Sequence, residues 1–400
     1  MARENNADAI AQGVDATYVM PFYKGALKLG ANLHHSRNNS TITNPNNGMF
    51  FVDNFTNVEK DTASVYAEWQ RDKASFSTTI GTRYTRVDMD AGLAGSNMVM
   101  MNPAIASLVD DFNAAERSKS YNMLDIAAST RYHASDNVDV VLGVSQKNRA
   151  PTYFERYTWL PLGISGGMAD GFNYIGNLAL DNETARQIDV GIDYRFKSWS
   201  VSPRLFYQDI EDYITGSPSM NMAANMVSTM MAGTTPFQWT NTDAVIKGAD
   251  LTVSGNVFDN VRLNAVASVQ HGNRDDIDDA LFRIAPEQLI TTIQWDTQLL
   301  DLPMALQLTS ELAGAQNHVS ALQSENTTAG YGLVHITGLF TLIDNAQSNL
   351  QVTATVHNLF DKHYAPHTAG INRVMNTDVA VGERVPAAGR EWHLSLSYRF

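Results

Sequence analysis

Apolar and polar side chains alternate strictly along most of the chain. From Ile188 to Phe196 every second residue is apolar, and the residues between them are polar or glycine. Leu124 to Tyr132 and Trp392 to Phe400 follow the same pattern. A period of two with one apolar face predicts antiparallel strands. About fifteen such segments are present, many of them near the roughly 9–11 residues that a strand needs to cross a membrane.

The connections between these segments alternate between short and long. The short ones are 71–73, 134–137, 197–199, 255–260, 299–302 and 344–348, and the long, polar ones are 36–57, 88–119, 148–183, 215–237, 272–283, 314–330 and 357–388. Long loops without structure are uncommon in compact soluble folds. An outer-membrane barrel has tight periplasmic turns at one rim and long extracellular loops at the other.

This loop asymmetry predicts an all-β fold, an antiparallel transmembrane β-barrel. Its apolar side chains face lipid and its polar side chains face a wet lumen. A soluble sandwich with the apolar face turned inward is the alternative, and the sorting of loop lengths disfavours it. Aromatic residues near the short turns favour an interfacial girdle, although aromatics are common in strands generally. They are Trp69, Tyr132, Tyr194, Phe196, Trp295, Phe340, Tyr398 and Phe400.

Composition excludes several classes of protein. Lys and Arg total 28 against 42 Asp and Glu, which gives a formal charge of -14 and argues against a nucleic-acid partner. The chain has no cysteine, so disulfides and thiolate metal sites are excluded. No apolar run reaches the roughly 18 residues of a membrane helix. We find no enzyme motif and expect neither catalysis nor a cofactor.

Three stretches carry a family resemblance. Residues 358–364 read NLFDKHY, which resembles the NLFDKxY signature of TonB-dependent receptors from Gram-negative outer membranes. Gly389-Arg390 and the strand ending at Phe400 are similar to the last strand of that family, and residues 147–157 (KNRAPTYFERY) resemble its R-x-P-x-x-x-E segment. The resemblance implies structural roles for the motif residues Asn358, Leu359, Phe360, Asp361, Tyr364, Gly389 and Arg390. It also implies that the barrel-assembly machinery reads Phe400.

The resemblance implies an outer-membrane receptor, surrounded by lipid, that takes up a scarce nutrient: a metal chelate, a siderophore or copper. Family members have a plug, a TonB box and a 22-stranded barrel. No signal peptide, plug or TonB box is visible here, so we expect residues 1–400 to be the C-terminal barrel portion. The TonB complex is then a partner only if another chain supplies plug and box. A structural barrel fragment or a passive pore is the alternative, and a first strand near 12–20 has an unpaired edge.

Methionine is the unusual residue. There are 16, and two predicted extracellular loops hold clusters of them: Met98, Met100 and Met101 in one, and Met220, Met222, Met226, Met230 and Met231 in the other. Thioethers favour Cu(I), which makes both clusters candidate ligand sites. Methionine also fills irregular space between loops, and the pattern favours this packing explanation.

Two further groups are candidate ligand residues. Tyr153, Tyr157 and Trp159 either stack on a siderophore or tetrapyrrole, or form a small core of their own loop. His357, His363 and His367 are a weaker hypothesis for a transition-metal site, with solvated histidines at the barrel rim as the favoured alternative. The ligand itself cannot be read from the sequence.

Overall fold

The computed structural model describes residues 3–299, 302–345 and 347–400. These ranges contain 17 strands, of which β5 and β8 are two residues long and the other 15 are long. The strands are β1 (Glu4–Phe22), β2 (Gly25–Asn44), β3 (Asn47–Lys73), β4 (Phe76–Asp90), β5 (Gly95–Ser96), β6 (Lys119–Ser135), β7 (Val138–Arg149), β8 (Tyr174–Ile175), β9 (Glu183–Phe196), β10 (Trp199–Pro218), β11 (Phe237–Phe258), β12 (Val261–Arg274), β13 (Gln288–Leu299), β14 (Leu302–Ala313), β15 (Tyr331–Asp344), β16 (Asn349–His357) and β17 (Glu391–Arg399). The helices are a 3₁₀ turn (Asn97–Met100), α1 (Pro103–Ala114), α2 (Tyr153–Tyr157) and α3 (Met222–Ala232). The prediction of about fifteen strands is confirmed.

The long strands form one antiparallel meander. Each long strand pairs with the next one along the chain, from β1 with β2 to β16 with β17. Within the described ranges, no register joins β1 to β17, and every residue of β17 is exposed. The two outer strands therefore each present an edge. The first strand is longer than predicted and runs from Glu4 to Phe22 rather than from about 12 to 20.

The two faces of the sheet differ as a membrane barrel requires. On β7, Leu142 of the apolar face is 47% exposed, whereas Asp139 of the polar face is 3% exposed. Ile188, Ile192 and Leu205 of the neighbouring strands are likewise exposed. A sandwich would cover this apolar face with a second sheet, but all strands of the described ranges belong to one sheet. The apolar side chains are therefore placed to meet lipid. None of the helices in these ranges is long and apolar enough to cross a membrane.

The predicted short connections 299–302 and 344–348 contain residues 300, 301 and 346, which lie outside the described residues. Among the other connections, loop lengths follow the prediction except at one place. Residues 36–57, predicted as a long loop, are instead the ends of β2 and β3, which pair up to a turn at Pro45-Asn46. Their Asn, Ser and Thr side chains have the composition of a loop. The two strands nevertheless satisfy each other's backbone groups as they extend past the apolar band. At the opposite rim, Tyr23 and Lys24 make a tight turn with positive φ angles of 43° and 60°.

The buried core lies at the loop end of the sheet, where the long loops pack against one another and against the ends of the strands. One cluster packs Ile105 and Leu108 of α1 against Ala224 and Val227 of α3, together with Trp159. A second cluster includes Phe55, Tyr121 and Tyr157. Because the sheet faces lipid on one side and the lumen on the other, the loops are where apolar side chains can bury each other.

The NLFDKxY segment ties the end of β16 to the start of β17. The Asn358 side chain donates to the Lys362 carbonyl and accepts from the Lys362 N–H, both at 2.8 Å. Asp361 Oδ1 accepts the Arg390 N–H at 2.8 Å. A Cβ on Gly389 would lie 2.6 Å from Asp361 Oδ1, so a larger residue here displaces the carboxylate that accepts the Arg390 N–H. Through these contacts Asn358 and Asp361 hold the segment in place, which is the kind of structural role that the resemblance implies.

Arg149, in the family-like stretch 147–157, holds the loop that follows β7. From the end of β7 its guanidinium bonds Glu155 (Nη1–Oε2 2.9 Å) and Glu183 (Nε–Oε2 2.7 Å). Glu155 also completes a capping box with Thr152 at the start of α2. One guanidinium thus closes both ends of the loop between β7 and β9.

Candidate functional site

Helix α3 exposes a row of methionine side chains to solvent. Asn221 caps its N-terminus by accepting the Ala224 N–H at 3.0 Å, and Gly233 ends it at a φ of 76°. Ala224 and Val227 are buried against α1. Met222, Met226 and Met230 recur every four residues, so they share one side of the helix, and all three are exposed.

The other loop methionines extend this exposed set. We call the seven exposed thioethers the methionine face; their exposure ranges from 47% to 91%, and they are Met100, Met101, Met220, Met222, Met226, Met230 and Met231. Of the eight methionines predicted as ligand residues, only Met98 is buried, in the same cluster as Ala224 and Val227, which places the 3₁₀ turn, α1 and α3 in one unit. The packing explanation that the sequence favours therefore describes only Met98.

The aromatic loop residues behave differently. Tyr157 and Trp159 are 1% and 3% exposed, and their polar atoms donate to the Arg117 carbonyl (3.1 Å) and the Asp53 carbonyl (2.9 Å). Burial raises the pKa of the Tyr157 hydroxyl. Tyr153 is half-buried and packs edge-on against Phe55 at 5.1 Å. The alternative of a small loop core describes these residues, and Tyr157 and Trp159 present no surface to a ligand in this conformation.

A cavity of about 700 Å³ opens between the long loops and carries three arginines, Arg283, Arg373 and Arg384. Burial lowers the pKa of both Arg373 and Arg384. Asp170 and Glu325 also line this arginine cavity. The cationic side chains therefore outnumber the carboxylates, which suits an anion.

The three cavity arginines also hold the loops together. Arg373 donates to the Phe172 carbonyl at 3.2 Å, and Arg384 donates to the Asn326 carbonyl at 3.2 Å. Arg384 Nε is buried with no protein partner among the described residues. Sequence reasoning missed these arginines because they come from two loops, Arg283 from the one before β13 and the other two from the one before β17, with no local pattern that connects 283 with 373 or 384.

The structure separates the predicted histidines. His367 is buried, with Nε2 2.9 Å from Glu325 Oε1 and Nδ1 3.0 Å from Thr328 Oγ1, so both ring nitrogens have partners. His363 is exposed in the segment after β16. His357 lies elsewhere, on the sheet, between His335 and His393, with ring centroids 5.2 and 5.1 Å away. In the part of the chain that the structure covers, no three His, Cys, Asp or Glu side chains already converge on a metal position.

Comparisons with known proteins agree with this architecture. The chain is 23% identical over 279 residues to the ferric enterobactin receptor PirA of Pseudomonas aeruginosa, covering 65% of this chain and 34% of PirA. Among solved structures, the copper transporter OprC aligns with a TM-score of 0.76 and 16% identity over 98% of this chain and 57% of OprC. The FrpB iron transporter from Neisseria meningitidis aligns with a TM-score of 0.66 and 15% identity, over 98% and 55%.

These coverages mean that the chain spans about a third of PirA and just over half of the two solved structures. At such low identity the structural matches show the fold alone. The family model for the TonB-dependent receptor-like β-barrel, however, matches residues 4–359. The chain therefore belongs to the TonB-dependent receptor family, within its β-barrel domain.

Proposed function

We propose that this chain forms the wall and outer loops of an outer-membrane uptake receptor, and that its methionine face collects copper as Cu(I). The observation that carries the proposal is the exposure of seven thioethers on two loops that share one core. Large exposed apolar sets mark interaction sites, and thioether sulfur is the side-chain donor that selects Cu(I). The name of OprC, a copper transporter, supports this choice.

The spacing on α3 suits a small ion. Side chains four residues apart have Cβ atoms about 5–6 Å apart, so two flexible thioethers can turn toward one ion between them. Met222 with Met226, and Met226 with Met230, are two such pairs. The absence of cysteine leaves thioether and imidazole as the soft or borderline donors of the chain.

The test is a Cu(I) titration against a chromogenic Cu(I) chelator, on full-length protein in detergent under reducing conditions. The triple variant M222L/M226L/M230L keeps side-chain volume and apolar character but removes the sulfurs. We expect it to lose at least one Cu(I) equivalent. The control Met49→Leu changes a methionine that is 80% exposed but lies outside both loops, and should bind as the wild type does. Equal binding by wild type and triple variant would remove the copper proposal.

An anionic metal chelate in the arginine cavity is a second candidate. The carrying observation is the excess of guanidinium groups over carboxylates around the cavity, because a bound anion balances the charge of side chains that burial has partly desolvated. The name of PirA, a ferric enterobactin receptor, supports this class of ligand. Arg373→Gln should weaken binding of a ferric catecholate chelate, measured by fluorescence quenching, and Arg373→Lys should retain part of it. The methionine triple variant should leave this binding unchanged.

We also propose that residues 1–400 act as one barrel portion and that a plug and TonB box outside these residues, in the same protein or in a partner, couple it to the TonB complex. A passive pore is the competing function. Conductance across planar bilayers separates the two, because a plugged receptor complex stays closed and an unplugged wall conducts steadily. Co-purification of a plug-bearing partner would support the receptor.

A further inference from the structure

The registers of the last two long strands bring three metal-binding side chains to one face. His357 of β16 pairs directly with Glu391 of β17, and His393 lies two residues further along β17. Residues two apart on a strand share a face, and directly paired residues have Cβ atoms about 4.5–5.5 Å apart. His357, Glu391 and His393 therefore form one patch at the loop end of the sheet, on the polar face that lines the lumen.

The ring geometry brings the two imidazoles of this patch together. The His357 and His393 centroids are 5.1 Å apart with an interplanar angle of 83°. Both residues are exposed, so their rings can rotate. Two nitrogens bound at about 2.0–2.1 Å to one tetrahedral ion lie roughly 3.4 Å apart, a separation that ring rotation can reach from this arrangement.

His335 lies beside the patch but is already committed. Its Nδ1 accepts the Asn358 N–H at 3.1 Å, which leaves the ring proton on Nε2, 3.8 Å from Glu311 Oε2. Its centroid is 5.2 Å from that of His357. His335 is therefore a neighbour that packs against His357 rather than a free ligand. In the described ranges, neither His357 nor His393 makes a hydrogen bond through its ring, so their nitrogens are available.

We infer that His357, His393 and Glu391 form an open site for a divalent transition-metal ion such as Zn²⁺, Ni²⁺ or Cu²⁺ on the lumenal wall. Two imidazoles and one carboxylate are ligands that such ions accept, with water completing the coordination. The three side chains have not yet converged, and their exposure lets them do so on binding. This site uses borderline donors on the sheet. It is therefore separate from the methionine face and does not rest on the copper proposal.

The test titrates Zn²⁺ into metal-free, full-length protein in detergent by calorimetry. His357→Ala and His393→Ala should each weaken one Zn²⁺ site by roughly tenfold or more, and Glu391→Gln should weaken it less. His363→Ala removes an exposed histidine close in sequence but outside the patch and should change nothing. With Cu²⁺, electron paramagnetic resonance should show coupling to two imidazole nitrogens in the wild type and to one in His393→Ala.

Heat-modifiable gel migration first checks that the wild type and the H357A/H393A double variant are both folded. If the folded double variant then binds Zn²⁺ as tightly as the wild type does, the proposed site is wrong. The same double variant titrated with Cu(I) keeps the two claims apart. If the methionine face is the Cu(I) site, its Cu(I) binding survives loss of the histidines. A failed Cu(I) proposal, conversely, leaves the Zn²⁺ result unaffected.

Discussion

Replacing Arg149 by alanine should loosen the loop between β7 and β9 without unfolding the sheet. The Arg149 side chain is 41% exposed, but the Glu155 and Glu183 side chains that it bonds are only 11% and 13% exposed. Without the guanidinium, two largely buried carboxylates lose the one side chain that bonds them both, and Lys60, which interacts with Glu155 at longer range, is the cation that remains nearby. Their other partners are backbone N–H groups, Thr152 N to Glu155 at 2.6 Å and Ile214 N to Glu183 at 2.8 Å.

The magnitude follows from how exposed these groups are. Breaking a fully buried ion pair costs about 3–5 kcal/mol, whereas an exposed pair is worth about 0–1 kcal/mol. Arg149 is intermediate, so we expect a loss of about 2 kcal/mol in the free energy that keeps this loop closed. That loss raises the equilibrium for local opening roughly 30-fold.

Hydrogen–deuterium exchange resolved by peptide measures this opening directly. Amides of 150–182 should exchange roughly 30-fold faster in Arg149→Ala, while those of β12 to β14 keep the wild-type rate. Arg149→Lys keeps the charge but loses the paired bonds, so its rate should be intermediate. The control Arg186→Ala breaks an exposed pair with Glu211, with side chains 49% and 50% exposed, and should have little effect. If Arg149→Ala changes exchange no more than Arg186→Ala does, the clamp is not the element that closes this loop.

Two further predictions concern the loops. Burial raises the pKa of Asp170 above its ordinary value of 3.8, so its ionised form disfavours the folded loop. The protonated carboxyl therefore stabilises the folded loop relative to the ionised one, and this stabilisation is lost as pH rises from about 3.8 through the raised pKa. Asp170→Asn, which stays neutral, should make hydrogen exchange in this loop depend less on pH. Gly389→Ala should lower the unfolding midpoint, because the new Cβ meets Asp361 Oδ1 at 2.6 Å and costs about 1–3 kcal/mol of folding free energy. The control Gly48→Ala, which has open space around it, should leave the midpoint unchanged. Equal midpoints for the two variants would contradict the steric argument.

The sheet could be predicted from the sequence because its rules are local. Alternation with a period of two identifies strands, and loop length identifies the two rims, so the 15 long strands could be predicted from the sequence. The hairpin at 36–57 was missed because strands that extend beyond the lipid lose their apolar face and resemble loops in composition. A pattern of apolar residues identifies the part of a strand that contacts lipid. The hydrogen-bonded strand itself can extend beyond that part, as β2 and β3 do.

The candidate sites were harder to predict because they depend on contacts between distant segments. Nothing near Trp159 in the sequence shows that it packs with α1 and α3, and nothing near Met226 shows that its side faces water. The pairing of His357 with Glu391 spans a whole loop and follows only from the strand register. Sequence reasoning could instead find the neighbours 363 and 367, which the structure places in other surroundings.

The central claim is that the apolar face of this sheet meets lipid and the polar face meets water. Because the chain has no native cysteine, single cysteines can be placed one at a time along β7 and β9 in protein reconstituted into vesicles. We predict that cysteines at 142, 144 and 190 resist a charged thiol reagent and that those at 143, 145 and 189 react with it. Reactivity that fails to alternate along the strands, or that alternates in the opposite phase, would contradict the account.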